Sequence, residues 1–246
     1  MGHTDLEQSL VLIKPDALKL SLTGYILTQL SEFHTGLRLA ATKIVHLSQM
    51  LAEEHYAEHR GKSFYPALID YITGRVHYPE AVERRRVVAV VYSGPGAVQK
   101  IREISGPTSP HVARDTAPGV IRALGTVVPI KNAEGKVVAE RLDNLVHASA
   151  TPAEAEREVK LWFTPPDMMP FMWPYPTAVA ENHFYLQGRA VTTEYRTGAT
   201  LLVGPGQTMW QSDLDALVGF ARGQAVAVSI ESVVAKYFIN TARESR

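Results

Sequence analysis

The run Val87-Val88-Ala89-Val90-Val91-Tyr92 is apolar at every position, and it is bounded by the charged stretch Glu83 to Arg86 on one side and by Gly94-Pro95-Gly96 on the other. It is far short of the roughly 18 residues that a membrane span requires, so it reads as a buried strand. A buried strand needs apolar layers packed against it. The flanking sequence supplies candidates. Ser9 to Ile13 reads as a second buried strand, ended by Lys14-Pro15-Asp16, where the proline cannot join a ladder and forces a turn. From Thr23, the residues Ile26, Leu30 and Phe33 trace one helix face, and Gly36 stands where a left-handed C-cap is needed. Leu37 to Leu47 follows as a strand. Ser48 is an N-cap for a helix through His59, and Phe64 to Tyr71 is a second short helical stretch closed by Gly74. Val98, Ile101 and Ile104 have helical spacing up to Gly106, and residues 106–119 read as a loop rich in Pro, Thr and Ser. Strands alternating with helices predict an α/β or α+β sandwich in which helices pack on a sheet.

Size and charge narrow the function classes. The chain has 246 residues and 46% hydrophobic content, enough for one large core or a medium core with an appendage. Lys plus Arg and Asp plus Glu both number 25, so no bulk charge points to nucleic acid or to an anionic membrane, and an anion has to be gripped by a local cluster. The absence of cysteine excludes disulfides, thiolate nucleophiles and cysteine-ligated zinc. It is compatible with a reducing cytosol, and a cytoplasmic protein without a targeting signal or membrane segment is expected, Asp5 and Glu7 preceding the first apolar run. Composition shifts after Phe163, with five prolines among Met, Phe, Trp and Tyr between Thr164 and Thr177. That stretch reads as an extended, sticky connector and sets the expected division into a domain of residues 1–165 and an extension of residues 166–246. In the extension, Val191 to Tyr195, Thr200 to Val203 and Ala225 to Ile230 read as strands. Ser212 to Ala221 and Val233 to Ile239 read as helices, giving a small α/β unit expected to dock on the first domain or on a neighbouring subunit.

The chemistry is expected around His147. It lies in Asn144-Leu145-Val146-His147-Ala148-Ser149, an apolar strand that runs into Thr151-Pro152-Ala153-Glu154, which has capping-box spacing and a proline suited to the first helical position. Ala155, Val159 and Trp162 then recur at helical spacing, which pins that helix to the core and leaves Glu158 free to turn towards the histidine. Lys14 sits at a strand end, and the loop carrying Arg114 and Arg122 can bring Arg122 beside it. Phosphoryl transfer needs a nucleophile, cationic clamps and usually magnesium, and these residues meet that description. The bland alternative is a hydrogen-bonded structural histidine with surface cations around it.

The order of "LVLIKPDAL", "EEHY", "SFYPALIDYI", "VVAVVYSGPGAVQKIREISG", "PTSP", "APGVIR", "NLVHAS" and "AEREVKLWF" resembles the nucleoside diphosphate kinase family over about residues 7–165. The resemblance implies a ferredoxin-like antiparallel sheet covered by helices and a ping-pong phosphotransfer. His147 would be the nucleophile, with Glu158 and Ser149 orienting its ring. Lys14, Tyr56, Arg102, Thr108, Arg122 and Asn144 would hold phosphates and ribose, with Phe64 stacking on the base and Leu68 beside it. It also implies nucleoside di- and triphosphates as substrates, Mg2+ carried by their phosphates, and a homo-oligomer. An aromatic plate reads any base by its face, so broad base tolerance is expected. The chain departs from the family at Ala123-Leu124-Gly125 after Arg122, where Gly-Asp and an aromatic are common, at Asp143, where an arginine is usual, and at Ala148, often a glycine. Residues 75–86 and 127–142 are longer than in the compact enzymes, and the extension has no counterpart there.

Competing readings are a metallopeptidase built on the H-x-x-E-H pattern of His55-Tyr56-Ala57-Glu58-His59, a non-catalytic nucleotide-binding scaffold of the same fold, and a phosphotransferase specialised for an unusual nucleotide. A P-loop kinase is disfavoured, because no G-x-x-x-x-G-K-[ST] occurs.

Overall fold

The structure, a computed structural model, describes residues 6–238. Its centre is a four-stranded antiparallel sheet made of β1 (Gln8–Ile13), β2 (Arg38–Val45), β3 (Val87–Ser93) and a short strand Val146–Ala148, in the order β2, β3, β1 and then the short strand. Every residue of β1 is buried, as its central place demands. Pleating sends Leu10 and Leu12 into one apolar cluster and Val11 and Ile13 into the other, so both faces of the sheet are covered. Helices α1 (Pro15–Lys19), α2 (Thr23–Gln29) and α3 (Glu32–Thr35) connect β1 to β2, and α4 (Gln49–His55) and α5 (Tyr65–Ile72) connect β2 to β3. After β3 come α6 (Ala97–Ser105) and α7 (Pro110–Thr116), a hairpin of β4 (Thr126–Lys131) and β5 (Val137–Asp143), and then the short strand β6 (Val146–Ala148) with helix α8 (Pro152–Trp162). This is the expected ferredoxin-like arrangement. Among the described residues no helix is long and apolar enough to cross a membrane.

Local expectations meet mixed outcomes. Ser48 caps α4 by accepting from the Leu51 amide at 3.2 Å, and Gly36, Gly74 and Gly106 all take positive φ where their helices end. Four expectations are corrected. Phe33 does not share the buried face of Ile26 and Leu30, because extended backbone at Ser31 breaks the helix and leaves Phe33 92% exposed. The helix begun at Ser48 stops at His55 rather than His59, and Ala57–His59 is a separate 3-10 turn. The loop 106–119 contains α7, started by Pro110 at its first position. Residues 225–229 form no strand.

The extension carries strands β7 (Thr177–Val179), β8 (Phe184–Gln187), β9 (Ala190–Thr192), β10 (Thr200–Val203) and β11 (Thr208–Trp210), followed by α9 (Gln211–Ala221) and α10 (Ile230–Val234). The helix expected at Val233 to Ile239 begins earlier, at Ile230, and continues as a 3-10 turn over Ala235–Phe238, Ile239 lying outside the described residues. The extension has an apolar cluster of its own, around Phe184, Leu202, Met209 and Leu217. Trp210 and Ala235, however, belong to the main cluster of the first domain. The Trp210 indole donates to the Phe163 carbonyl at 2.7 Å, at the point where α8 ends, and Lys236 is buried against Asp213 at 2.9 Å. The proline-rich connector is folded into short turns, with Met168 and Met172 buried and Met169 and Phe171 exposed.

Trp210 therefore joins extension to core by both packing and a hydrogen bond. Trp210→Ala is expected to lower the unfolding free energy by about 3–5 kcal/mol, measured by urea denaturation, with a smaller loss expected for exposed Phe171→Ala.

Candidate active site

Strand β6 has only three residues, yet its register is set on both sides of His147. His147 pairs with Leu12, Val146 with Ile13 and Ala148 with Val11. Cross-strand partners share a face, so His147 points to the side that Leu12 packs, beneath α4, α5 and α8. The chain enters β6 through Leu145, a buried non-glycine residue at φ 69, a conformation that costs of order 1–3 kcal/mol and needs over-determined surroundings. Those surroundings come from the end of β1. The Lys14 amide donates to the Leu145 carbonyl at 2.9 Å, and the Leu145 amide donates to Asp16 Oδ2 at 2.9 Å. The chain leaves through Ser149, whose amide donates to the Leu10 carbonyl at 3.1 Å, and reaches the cap of α8. Thr151 Oγ1 accepts from the Glu154 amide at 3.1 Å, while Glu154 reaches back to the Ala150 amide instead of closing a box on Thr151. Ala155, Val159 and Trp162 are all buried, as their spacing predicts.

This helix aims Glu158 at the histidine. Glu158 Oε1 lies 3.0 Å from His147 Nε2, and Oε2 accepts from the Ser149 hydroxyl at 2.6 Å. Burial works to raise the Glu158 pKa, but the His147 charge and hydrogen bond, together with the Ser149 hydroxyl, bring it down to about 2. A carboxylate held in this way accepts a proton-bearing Nε2, which makes Nδ1 the ring nitrogen with a free lone pair.

The cations gather at the other end of the same turn. Lys14 Nζ is hydrogen-bonded to Asn144 Oδ1 and stands 4.8 Å over the Tyr71 ring, and Asn144 Nδ2 donates to the Thr108 carbonyl at 2.8 Å. Burial, opposed by Asp16 and joined by the nearby Arg122, lowers the Lys14 amine to about 8. Arg122 lies on the 3-10 turn Ile121–Leu124 and donates to the carbonyls of Gly106 at 2.7 Å and Val146 at 3.1 Å. Its guanidinium is lowered to about 10, first by burial and then by Arg102, which places Arg102 within electrostatic reach. Arg114 instead secures the turn after Arg122 through the Ala123 and Gly125 carbonyls, at 3.1 and 2.7 Å. Thr108 itself is exposed.

The aromatic residues divide into a buried and an exposed group. Tyr56, which caps the C-terminus of α4, is buried with its ring centroid 6.3 Å from that of His147, and burial pushes its hydroxyl up. Phe64 and Leu68 lie one turn apart at the start of α5, Phe64 51% exposed and Leu68 half-buried. His59 bridges Phe64 to Tyr56, stacking on Tyr56 at 6.0 Å and meeting Phe64 edge-on at 5.5 Å.

One residue of the site was missed as such. His55 is buried with its ring 4.4 Å from that of His147, and its Nδ1 accepts from the Trp162 indole at 3.2 Å. Burial, then the His147 charge, lowers it to about 3, so it is neutral near pH 7 and its 3.9 Å approach to Glu158 is no ion pair. The sequence singled it out only as the first histidine of the H-x-x-E-H pattern, not as a neighbour of His147. The H-x-x-E-H pattern fails as a metal site, because α4 ends at His55, and His59 turns away to Lys62 at 2.9 Å and Glu58 at 3.5 Å.

The family described as nucleoside diphosphate kinase matches residues 7–168. The nucleoside diphosphate kinase of Thermus thermophilus is 37% identical over 164 residues, covering 67% of this chain and 100% of that protein. That of Pyrococcus horikoshii is 36% identical over 185 residues, covering 75% of this chain and 99% of its own. Among solved structures, the Aquifex aeolicus nucleoside diphosphate kinase is similar with a TM-score of 0.53 and 29% identity, covering 67% of this chain and 99% of that one. A nucleoside diphosphate kinase family protein from Babesia bovis gives a TM-score of 0.51 and 31% identity over 66% of this chain and 92% of that one.

The depressed Glu158 carboxyl has a thermodynamic signature. Its stabilisation is complete above its ordinary pKa of 4.5 and is lost as pH falls through about 2, an effect of roughly 3 kcal/mol. Glu158→Gln is expected to flatten the fall in stability between pH 5 and pH 2 relative to the unmodified chain, measured by denaturant titration at each pH.

Proposed function

The chain belongs to the nucleoside diphosphate kinase family, and from that premise we propose that it moves the γ-phosphoryl group of a nucleoside triphosphate to a nucleoside diphosphate in two half-reactions carried by His147. The observation that supports this most is the hold on His147 Nε2 by Glu158 at 3.0 Å, which leaves Nδ1 as the attacking atom. In the first half-reaction Nδ1 forms a bond to the γ-phosphorus while the bond to the β–γ bridging oxygen breaks, and the diphosphate leaves. In the second, a terminal oxygen of the acceptor diphosphate attacks that phosphorus and the P–N bond breaks. The Nε2 proton stays against Glu158 throughout, so the cationic character of the phosphorylated ring is offset by a neighbouring carboxylate.

Lys14, Arg102 and Arg122 are suited to the phosphate oxygens, with Asn144 and Thr108 beside them and Tyr56 at the floor of the site. Exposed Phe64 with Leu68 offers the base a face and no hydrogen-bond code, consistent with acceptance of many bases. Mg2+ would be held by the nucleotide phosphates, whose charge it neutralises. The residues fit that arrangement. Among the described residues the group able to converge on an ion is His55, His147 and Glu158, nitrogen-rich and engaged in hydrogen bonds of its own, whereas Mg2+ prefers oxygen and retains water. The same reading includes a homo-oligomer in the cytoplasm, residues 1–165 as the catalytic unit, and residues 166–246 as an accessory unit that supplies no catalytic group. The retention of His147, Glu158, Lys14, Arg102, Arg122 and Asn144 together weighs against a non-catalytic scaffold.

Two outcomes test this. Mixed with ATP and magnesium, the protein should release one ADP per active subunit before any acceptor is added and carry an acid-labile, base-stable phosphoryl group. His147→Gln should abolish both while keeping the fold, and a variant that still formed the same phosphoprotein would refute the mechanism. Because the Lys14 amine is lowered to about 8, it is charged below that pH and neutral above it. The pH profile of kcat/KM should therefore fall on the alkaline side near pH 8, and the residual activity of Lys14→Ala should lack that limb.

A further inference from the structure

Two of the chain's departures from its family meet each other beside Lys14. His77 belongs to the lengthened segment 75–86, and Asp143, which stands where the family usually has an arginine, ends β5 directly after the lengthened segment 127–142. Both are buried, and His77 Nε2 donates to Asp143 Oδ2 at 2.9 Å. Arg141 closes on the same carboxylate with bonds of 2.6 Å to Oδ1 and 3.0 Å to Oδ2. His77 Nδ1 is buried with no partner, so the hydrogen bonding of this ring is all directed at Asp143.

The pair reaches the lysine by two routes. Asp143 is bonded in sequence to Asn144, the residue that holds Lys14 Nζ and the Thr108 carbonyl. The His77 ring also meets Tyr71 edge-on at 5.3 Å, and Tyr71 is the ring under the Lys14 amine at 4.8 Å. The hairpin itself pairs with no strand of the central sheet, and a lone two-stranded hairpin is marginal in water. Unclamped at its base, its motion would pass directly to Asn144. There Gly125 faces the Asp143 carbonyl so closely that a Cβ would lie 2.5 Å from that oxygen. We infer that His77 and Asp143 are positioning residues, a clamp at the base of the hairpin that fixes Asn144 and Tyr71 and so seats the Lys14 amine. This rests on the proposed role of Lys14 at the phosphates.

The experiment is a double-mutant cycle read in steady-state kinetics, with near-ultraviolet circular dichroism to check the fold. His77→Ala should lower kcat/KM by roughly tenfold to a hundredfold, the scale of losing a placed catalytic group. His77→Gln, which keeps an N–H towards Asp143, should restore most of it. In a Lys14→Ala background, His77→Ala should cost less than about twofold, because the residue acts through Lys14. If His77→Ala does not fold, Asp143→Asn, which keeps the side-chain size and removes the charge, should show the same non-additivity. An unchanged kcat/KM in His77→Ala, or an equal loss in both backgrounds, would overturn the inference. Lys14→Ala without loss in the otherwise unaltered chain would instead refute the phosphate role of Lys14 and this inference with it.

Discussion

A single buried carboxylate organises the reacting half of this molecule. Glu158 is bonded at one oxygen to His147 and at the other to Ser149, so it grips the strand on both sides of Ala148. A desolvated carboxylate is costly unless its oxygens are occupied, and here the neighbouring charge and two hydrogen bonds outweigh burial. The demand runs outwards. Glu158 can reach only if α8 starts at the Thr151 cap and lies flat on the sheet through Val159 and Trp162. Trp162 in turn supplies the indole N–H that fixes the His55 ring against His147. His147 is thus held on one edge by a charge and on another by a neutral ring.

The phosphate half is built from the same turn read in the opposite direction. Leu145 in a left-handed conformation lets Asn144 face Lys14 while His147 faces Glu158, so a single strained residue separates the two functions. Asp16 holds that strain with one oxygen, its other oxygen having no partner in its buried setting. Lys14 and Arg122 are largely desolvated here, which in the proposed function strengthens their pull on a phosphate.

Much of this was legible because it follows from short-range rules. Unbroken apolar runs placed the central strands, Ser48 and Thr151 marked helix starts, and Gly36, Gly74 and Gly106 marked helix ends. What stayed hidden depended on distant partners or on weak local signals. Phe33 had helical spacing, but extended backbone at Ser31 overrode it. Helix α7 was masked by the prolines and serines that start it, and the β4–β5 hairpin by being largely exposed on both faces, which leaves no apolar alternation to read. His55 read only as part of the H-x-x-E-H pattern, because nothing near it in sequence announces Trp162 or His147. Apolar Ala225 to Ile230 resembled a strand, yet the segment serves as the approach to α10, capped by Ser229.

Trp210 and Ala235 sit in the main apolar cluster although they come from the extension. In a chain made from its first residue to its last, the strands, the histidine and its helix emerge well before these two side chains do. The apolar cluster around Trp162 and Phe163 is completed by the side chains that emerge last among its members. Until Trp210 emerges, the Phe163 carbonyl at the end of α8 lacks its indole partner. Closure of the core around the end of α8 therefore waits on side chains that the extension supplies.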